Sequence, residues 1–219
     1  MDERVREHAA VLVDWSARVE AGDDVVVSVA EDAHDLGVAV AEALGERGAT
    51  VTTLYGSAEI SRAYLKGTEA GTEGDDGPPH FDDDPAAERA LFEAADAYLR
   101  IGGGRNTTAT ADVSSETRQA HATARQDVRE ARMDTDWVST VHPTRSLAQQ
   151  AGMSYEAYRD FVYDAVLRDW ESLAAEMAGL KEILDDGDEV RIVADGTDVT
   201  LPIEGRTAVN SAASVVYDS

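Results

Sequence analysis

Apolar residues recur along the chain in two alternating patterns. Residues 25–29 form a continuous β-branched run of the kind that suits a strand covered on both faces, and 51–55, 98–101 and 137–141 are also predicted to be strands. Between and around these runs, apolar residues three and four positions apart predict amphipathic helices, over the ranges 4–20, 36–44, 57–66, 85–95 and 114–133. Strands that alternate with helices predict an α/β fold, with a doubly wound, mostly parallel sheet and helices on both faces.

The last third of the chain has a different pattern. A long helix is predicted over 154–184, with Gly179 as a candidate break. After Gly187, two β-rich segments flank an Asp-Gly pair, which predicts a β-hairpin, and residues 208–217 are a candidate for a further strand. We therefore expect residues 1–187 to form an α/β N-terminal domain, and residues 188–219 to be the incomplete start of a β-rich second domain.

The segment 67–84 interrupts the pattern, because it is rich in Gly, Pro, Thr and acidic residues and has no apolar periodicity. It predicts a mobile surface loop. Its run of aspartates, 82–84, is a candidate site for a hard cation, but a solvated acidic loop is the favoured interpretation in a chain this acidic.

Charge narrows the classes of function. The 44 acidic residues against 19 basic ones give a formal net charge of −25, which argues against nucleic-acid binding because that relies on Lys and Arg. We expect a halophilic protein, since concentrated salt screens the repulsion between closely spaced carboxylates. The absence of cysteine excludes disulfides and thiol chemistry. No apolar run approaches the roughly 18 residues of a membrane span, and no secretory signal is visible, so a cytoplasmic location without membrane contact is expected.

The glycine-rich segment 102–104 follows a predicted strand, where α/β sheets commonly bind ligands. It lacks the last glycine of a dinucleotide fingerprint, because Thr107 stands there, and it lacks the Gly-Lys-Ser/Thr of a phosphate loop. A plain sharp turn is favoured over contact with a small anion. Nucleotide binding at this turn is the weakest functional alternative.

No catalytic, cofactor-binding or metal-binding residue can be assigned from motifs. The five histidines include no His-Glu-x-x-His pair and no two at the spacing of one helical face. His142, just after a predicted strand, is a candidate to face a cleft, although a surface histidine is favoured. Asp185, Asp186 and Asp188 lack the spacing of a calcium loop, so they are expected to end a helix.

Four segments together resemble one family. They are DWVSTVHPT (136–144), YEAYRDFVY (155–163), LRDWE (167–171), and GTDVT through GRTAVN (196–210). Their order and spacing are similar to those of the aminopeptidase T (thermophilic leucyl aminopeptidase) family, especially its archaeal members. The resemblance covers nearly the whole chain, although no single segment is a catalytic motif.

The resemblance implies a dimeric exopeptidase that removes N-terminal residues from peptides with two divalent metal ions, of the cobalt, zinc or manganese class. In the family, the metal ligands lie in the domain that follows the α/β domain, and the first comes shortly after the position matching Asn210. None can be carried over here. We therefore expect the N-terminal portion of a homodimeric aminopeptidase that is inactive alone and binds no metal in this chain. The alternative is a non-catalytic binding or interaction module, such as a short paralogue.

Overall fold

A four-stranded parallel sheet forms the centre of the fold, in a computed structural model that describes residues 1–71, 79–81, 85–212 and 214. The strands lie in the order β2-β1-β3-β4 and all three pairings are parallel. Each of the four predicted strands is confirmed to within one residue at either end, as β1 (Asp24–Ala30), β2 (Thr50–Gly56), β3 (Ala97–Gly102) and β4 (Asp136–Val141).

Helices cover both faces of this sheet, which confirms the α/β fold class. The helices of this part of the chain are α1 (Glu3–Ala10), α2 (His34–Arg47), α3 (Ala58–Gly71), α4 (Ala86–Glu93), α5 (Ser115–Ala124), α6 (Gln126–Met133), α7 (Arg145–Gln150) and α8 (Tyr155–Val166). Helix α9 (Trp170–Asp185) follows them in the chain. On one face, buried residues of α1, α2 and α8 pack against alternate residues of β1 and β3. On the other face, Phe92 of α4 and Val128 of α6 pack against Val26 and Tyr98.

Three predicted helices differ from the observed ones. The first becomes a π-helix over Val11–Ser16 and ends there, four residues before the predicted end at residue 20. The helix predicted over 114–133 is interrupted at Arg125, and the one predicted over 154–184 is interrupted between α8 and α9. That second interruption is stabilised by Asp169, whose side chain accepts a hydrogen bond from the Ser172 N–H and caps α9. Gly179 does not break α9.

The segment predicted as a loop over 67–84 is only partly described. Helix α3 continues through its first residues to Gly71, so residues 67–71 are helical and the prediction of a loop is wrong there. Residues 72–78 and 82–84, including the aspartate run, lie outside the described residues. Helix α7 was not predicted, because its six residues are too few and too polar to show a periodic apolar face.

The chain divides into two compact units, Met1–Leu167 and Arg168–Ser219. The second contains α9 and the predicted hairpin, which is confirmed as antiparallel strands β5 (Glu189–Ala194) and β6 (Thr197–Pro202). The division into domains 1–187 and 188–219 stays a prediction. In the described part of the tail, 208–212 form no strand. No helix within the described ranges combines the length and the apolar character needed to cross a membrane.

Candidate functional site

The carboxyl edge of the sheet contains a topological switch point. Because β2 lies on one side of β1 and β3 on the other, the chain leaves the ends of β1 and β3 in opposite directions. Open α/β sheets bind ligands in the crevice that this reversal leaves. The residues that enter the crevice are Glu31 and Asp32 after β1, and the turn Gly103–Arg105 after β3.

Glu31 connects three of these segments through its carboxylate. The side chain is 8% exposed. Its two oxygens accept hydrogen bonds from the Ser57 hydroxyl at 2.7 Å and from the Arg105 backbone N–H at 3.2 Å. The Tyr55 hydroxyl donates to the Glu31 carbonyl at 2.8 Å. The glycine-rich turn therefore donates to an anion of its own chain, which agrees with its interpretation as a sharp turn.

The turn after β3 requires glycine at its centre. Gly103 has a φ of +142°, and a Cβ there would lie 3.1 Å from the His142 carbonyl oxygen and 3.3 Å from the Ala33 Cβ. Its carbonyl accepts the Asp32 N–H at 3.0 Å. Arg105 then pairs with the Asp32 carboxylate at 2.8 Å, which raises the pKa of the guanidinium. The arginine thereby neutralises one carboxylate of an acidic crevice.

The end of β4 closes the crevice on its other side. The His142 backbone N–H donates to the Gly102 carbonyl at 2.8 Å, and the Thr144 hydroxyl caps α7 by accepting the Leu147 N–H at 3.3 Å. The His142 residue is only 9% exposed, so the expectation of a surface histidine is wrong. It was based on the position after a strand, and the packing of α7 and of the turn after β3 around that position was not visible in the sequence.

The charge of this edge favours cationic or neutral groups over phosphates. Burial lowers the pKa of His142 below its ordinary value of 6.5, although the Asp35 and Asp32 carboxylates favour its charged form. Helix α2 begins here without a side-chain cap, but Glu31, Asp32 and Asp35 surround its first turn with negative charge. Electrostatic repulsion from these groups opposes nucleotide binding at the glycine turn.

The other candidate residues lie apart from this edge. The Asp185 carboxylate ends α9, where it accepts hydrogen bonds from Lys181 Nζ at 2.7 Å and from the Ala208 N–H at 2.9 Å. Asp186 is the C-cap residue of that helix. These aspartates therefore end a helix, as expected. His8 and His121 lie in separate packed clusters, which contact Tyr163 and Phe81 respectively.

A pair of divalent metal ions does not fit the part of the chain that the structure describes. That part contains no group of three or more His, Cys, Asp or Glu side chains placed to hold a metal ion. Glu31 and Asp32 are already engaged by Ser57, Arg105 and the turn. No residue of this edge is therefore assigned as a metal ligand.

The fold and the carboxyl edge of the sheet together define the class of protein. It is a doubly wound α/β domain whose switch point is acidic, with carboxylates that are hydrogen-bonded to groups of the same chain. Within that class, the chain matches the family described as thermophilic metalloprotease (M29) over residues 1–215. It belongs to that family, and the resemblance found in the sequence is confirmed.

A solved structure supports the fold independently. Wild-type AmpT from Thermus thermophilus superposes with a TM-score of 0.68 at 20% identity, over 92% of this chain and 53% of that chain. The chain thus spans about half the length of this relative. The CurK enoyl reductase matches 77% of this chain and 49% of its own at 11% identity, but its TM-score of 0.27 supports no conclusion about the fold. No curated protein matches.

Sequence reasoning missed the central role of Glu31. The residue stands one position after β1, and that position becomes significant only when β1 and β3 are known to be neighbours. The strand order supplies this information, and strand order is not readable from the pattern. The available signal was the combination of an acidic residue after one buried strand and a glycine-rich turn after another.

Proposed function

We propose that this chain is the α/β part of a metal-dependent aminopeptidase, an enzyme that releases N-terminal amino acids from peptides. The match to the thermophilic metalloprotease (M29) family over residues 1–215 carries the proposal. The fold similarity to AmpT over 92% of this chain supports it. The substrate is a peptide with a free N-terminus, and the cations are of the cobalt, zinc or manganese class. We place the enzyme in a halophilic cytoplasm, as a homodimer.

We also propose that the 219-residue polypeptide does not hydrolyse peptides by itself. The resemblance supports this, because it puts the first metal ligand after the position that matches Asn210. The chain covers 53% of AmpT. In this proposal the α/β part is a structural part of the enzyme, and other residues supply the metal ligands of the catalytic centre.

An activity assay tests both statements. Purified chain is incubated with leucine anilide and cobalt or zinc in high salt, beside AmpT from Thermus thermophilus as a positive control. We expect no release of aniline from the chain alone. The DNA downstream of codon 219 is then sequenced, and any continuation is expressed with the chain. Metal-dependent turnover by that longer product is the expected result, whereas robust turnover by the 219 residues contradicts the proposal.

A non-catalytic interaction module is the second candidate, and the hairpin favours it. One face of the hairpin is apolar across two cross-strand pairs, Val190 with Leu201 and Ile192 with Val199. Three of these side chains, Ile192, Val199 and Leu201, are 43–49% exposed. The partner in this case is a full-length member of the same family. Copurification with such a relative from native cells, without any effect on its peptidase activity, distinguishes this candidate from the first.

A further inference from the structure

His8 connects three elements of the first unit from a fully buried position. It lies on the inner side of α1 and is 0% exposed. Its Nε2 lies 2.9 Å from the Thr140 hydroxyl of β4. Its ring meets the Tyr163 ring of α8 edge to face, with 6.3 Å between the ring centroids. One neutral imidazole thus lies at the place where α1 docks on β4 and α8.

A second buried histidine accompanies it. His142 follows β4 two residues after Thr140, and it interacts electrostatically with His8. Among the described residues, neither His8 Nδ1 nor His142 Nδ1 has a hydrogen-bond partner. Both nitrogens of a protonated imidazole are donors, so protonation of His8 would bury a charge and leave an N–H without an acceptor. That combination is costly in a dry interior.

The surrounding charges do not compensate a proton on His8. On α8, Tyr163 stays neutral, because burial raises its pKa to about 12. The guanidinium of Arg4 on α1 lies over that ring at 4.7 Å and is positive. Asp2 and Asp160 both pair with Arg4. Burial, together with His142, lowers the pKa of His8 from 6.5 to about 4.

The groups next to His142 and on α2 also supply no negative charge to a proton on His8. Burial lowers the pKa of His142 below 6.5, and the Asp35 and Asp32 carboxylates at the start of α2 oppose that shift only in part. The remaining charged contact between α1 and α2 is the exposed pair of Arg6 and Glu42, whose closest N and O atoms are 3.7 Å apart. It lies outside the buried cluster and is screened by salt.

We propose that His8, buried beside His142, is an acid-sensitive latch, which holds α1 on β4 and α8 while His8 is neutral and releases α1 when His8 takes up a proton. The sign follows from linkage. The released helix exposes His8, which then binds a proton at its ordinary pKa of 6.5, whereas the docked helix resists protonation until about 4. Docking therefore weakens as the pH falls from 6.5 towards 4, by up to about tenfold in the opening equilibrium per pH unit.

Hydrogen exchange tests the latch on the full chain in high salt. Protection factors, corrected for the intrinsic effect of pH, are measured from pH 7 to pH 5 for peptides covering α1, β1 and β3. We expect protection of α1 to fall by up to about tenfold per pH unit below 6.5, while β1 and β3 stay protected. The carboxylates of Asp2 and Asp160 are not involved in this range, because their pKa values lie below 3.8.

Two variants sharpen the test. His8→Gln keeps a polar group near Thr140 but cannot gain a charge, so its α1 protection should not depend on pH. His34→Gln, a change at an exposed histidine, should behave like the wild type. A flat wild-type profile, an equal loss in His8→Gln, or a simultaneous loss in β1 and β3 overturns the proposal.

A direct titration provides a readout that does not depend on any variant. Nitrogen chemical shifts of the His8 imidazole are followed over the same pH range by NMR. We expect the ring to stay neutral while α1 is protected, and to become protonated only together with the loss of protection. A His8 ring that titrates near 6.5 while α1 remains protected overturns the latch.

Discussion

At the scale of single residues, the carboxyl edge depends on one buried carboxylate. Glu31 joins the end of β1 to Ser57 at the start of α3 and to Arg105 in the turn after β3. The Ser57 hydroxyl and the Arg105 N–H each donate to one carboxylate oxygen. If glutamine replaces Glu31, one of these two donors faces an amide N–H₂ group and loses its acceptor. An unsatisfied buried group costs more than the bond itself contributes.

The variant Glu31→Gln should therefore lower the free energy of unfolding by about 1–3 kcal/mol. Urea unfolding at constant salt measures the change. Glu59→Gln is the matched control, because Glu59 is exposed in the first turn of α3, and it should have almost no effect. Equal stabilities of the two variants would show that the carboxylate does not organise the edge.

The residues of this edge also show where sequence reasoning ends. The glycine-rich turn was recognised as a turn from its composition, since Gly103 occupies a backbone region that other residues avoid. Glu31 and the burial of His142 were missed, because both depend on which strands are neighbours. Long-range packing determines these features, and hydrophobic periodicity contains no information on it.

At the scale of elements, a set of hydrogen bonds joins helix α3 to the start of helix α5. Glu69 of α3 accepts hydrogen bonds from the Ser114 N–H at 2.7 Å and from the Thr117 hydroxyl at 2.9 Å, both at the start of α5. Its other oxygen accepts from Lys66 Nζ. Lys66 and these hydrogen bonds lower the pKa of Glu69 from 4.5 to about 2.

This shift predicts a loss of stability in acid. A carboxylate with a lowered pKa contributes fully above its ordinary pKa, and the contribution disappears as the pH falls from 4.5 to about 2. Glu69→Gln should have a lower melting temperature than the wild type at pH 7, and the gap should narrow below pH 4.5. The control Glu46→Gln, at an exposed site on α2, should show no such gap. If the difference in melting temperature between Glu69→Gln and the wild type does not change with pH, the charge of Glu69 does not stabilise the contact between α3 and α5.

The predicted and observed elements differ for physical reasons. Strand β1 was predictable because its continuous β-branched run suits a strand covered on both faces, and β2, β3 and β4 because each short strand-like segment alternates with a helical pattern. The breaks at Arg125 and between α8 and α9 were missed because apolar spacing continues across them. A local cap accompanies the second of these breaks, where Asp169 caps the start of α9. The π-helix over Val11–Ser16 depends on packing and has no pattern of its own.

At the scale of the whole molecule, the large negative charge has the strongest influence on stability. A formal net charge of −25 means that carboxylates repel one another over much of the surface. The ion pairs are mostly exposed, as in Arg105 with Asp32 and Arg191 with Asp198. Pairs of this kind contribute about 0–1 kcal/mol each, so they cannot offset repulsion across the molecule.

We therefore predict that stability depends strongly on salt. The melting temperature should fall when potassium chloride is reduced from about 1 M to about 0.01 M, as the Debye length grows from about 3 Å to about 30 Å. Sucrose at equal osmolality serves as the control, because it does not screen charge and should restore less of the stability. An unchanged melting temperature would exclude adaptation to concentrated salt.

Metal binding by the purified 219-residue chain tests the central claim most directly, since the claim is that this polypeptide supplies the α/β part of a metallopeptidase and other residues supply its metal cage. Calorimetric titration with zinc and cobalt in high salt, followed by dialysis and metal analysis by mass spectrometry, gives the stoichiometry. The account predicts no tightly bound, stoichiometric metal. Two divalent ions per chain that survive dialysis would contradict it.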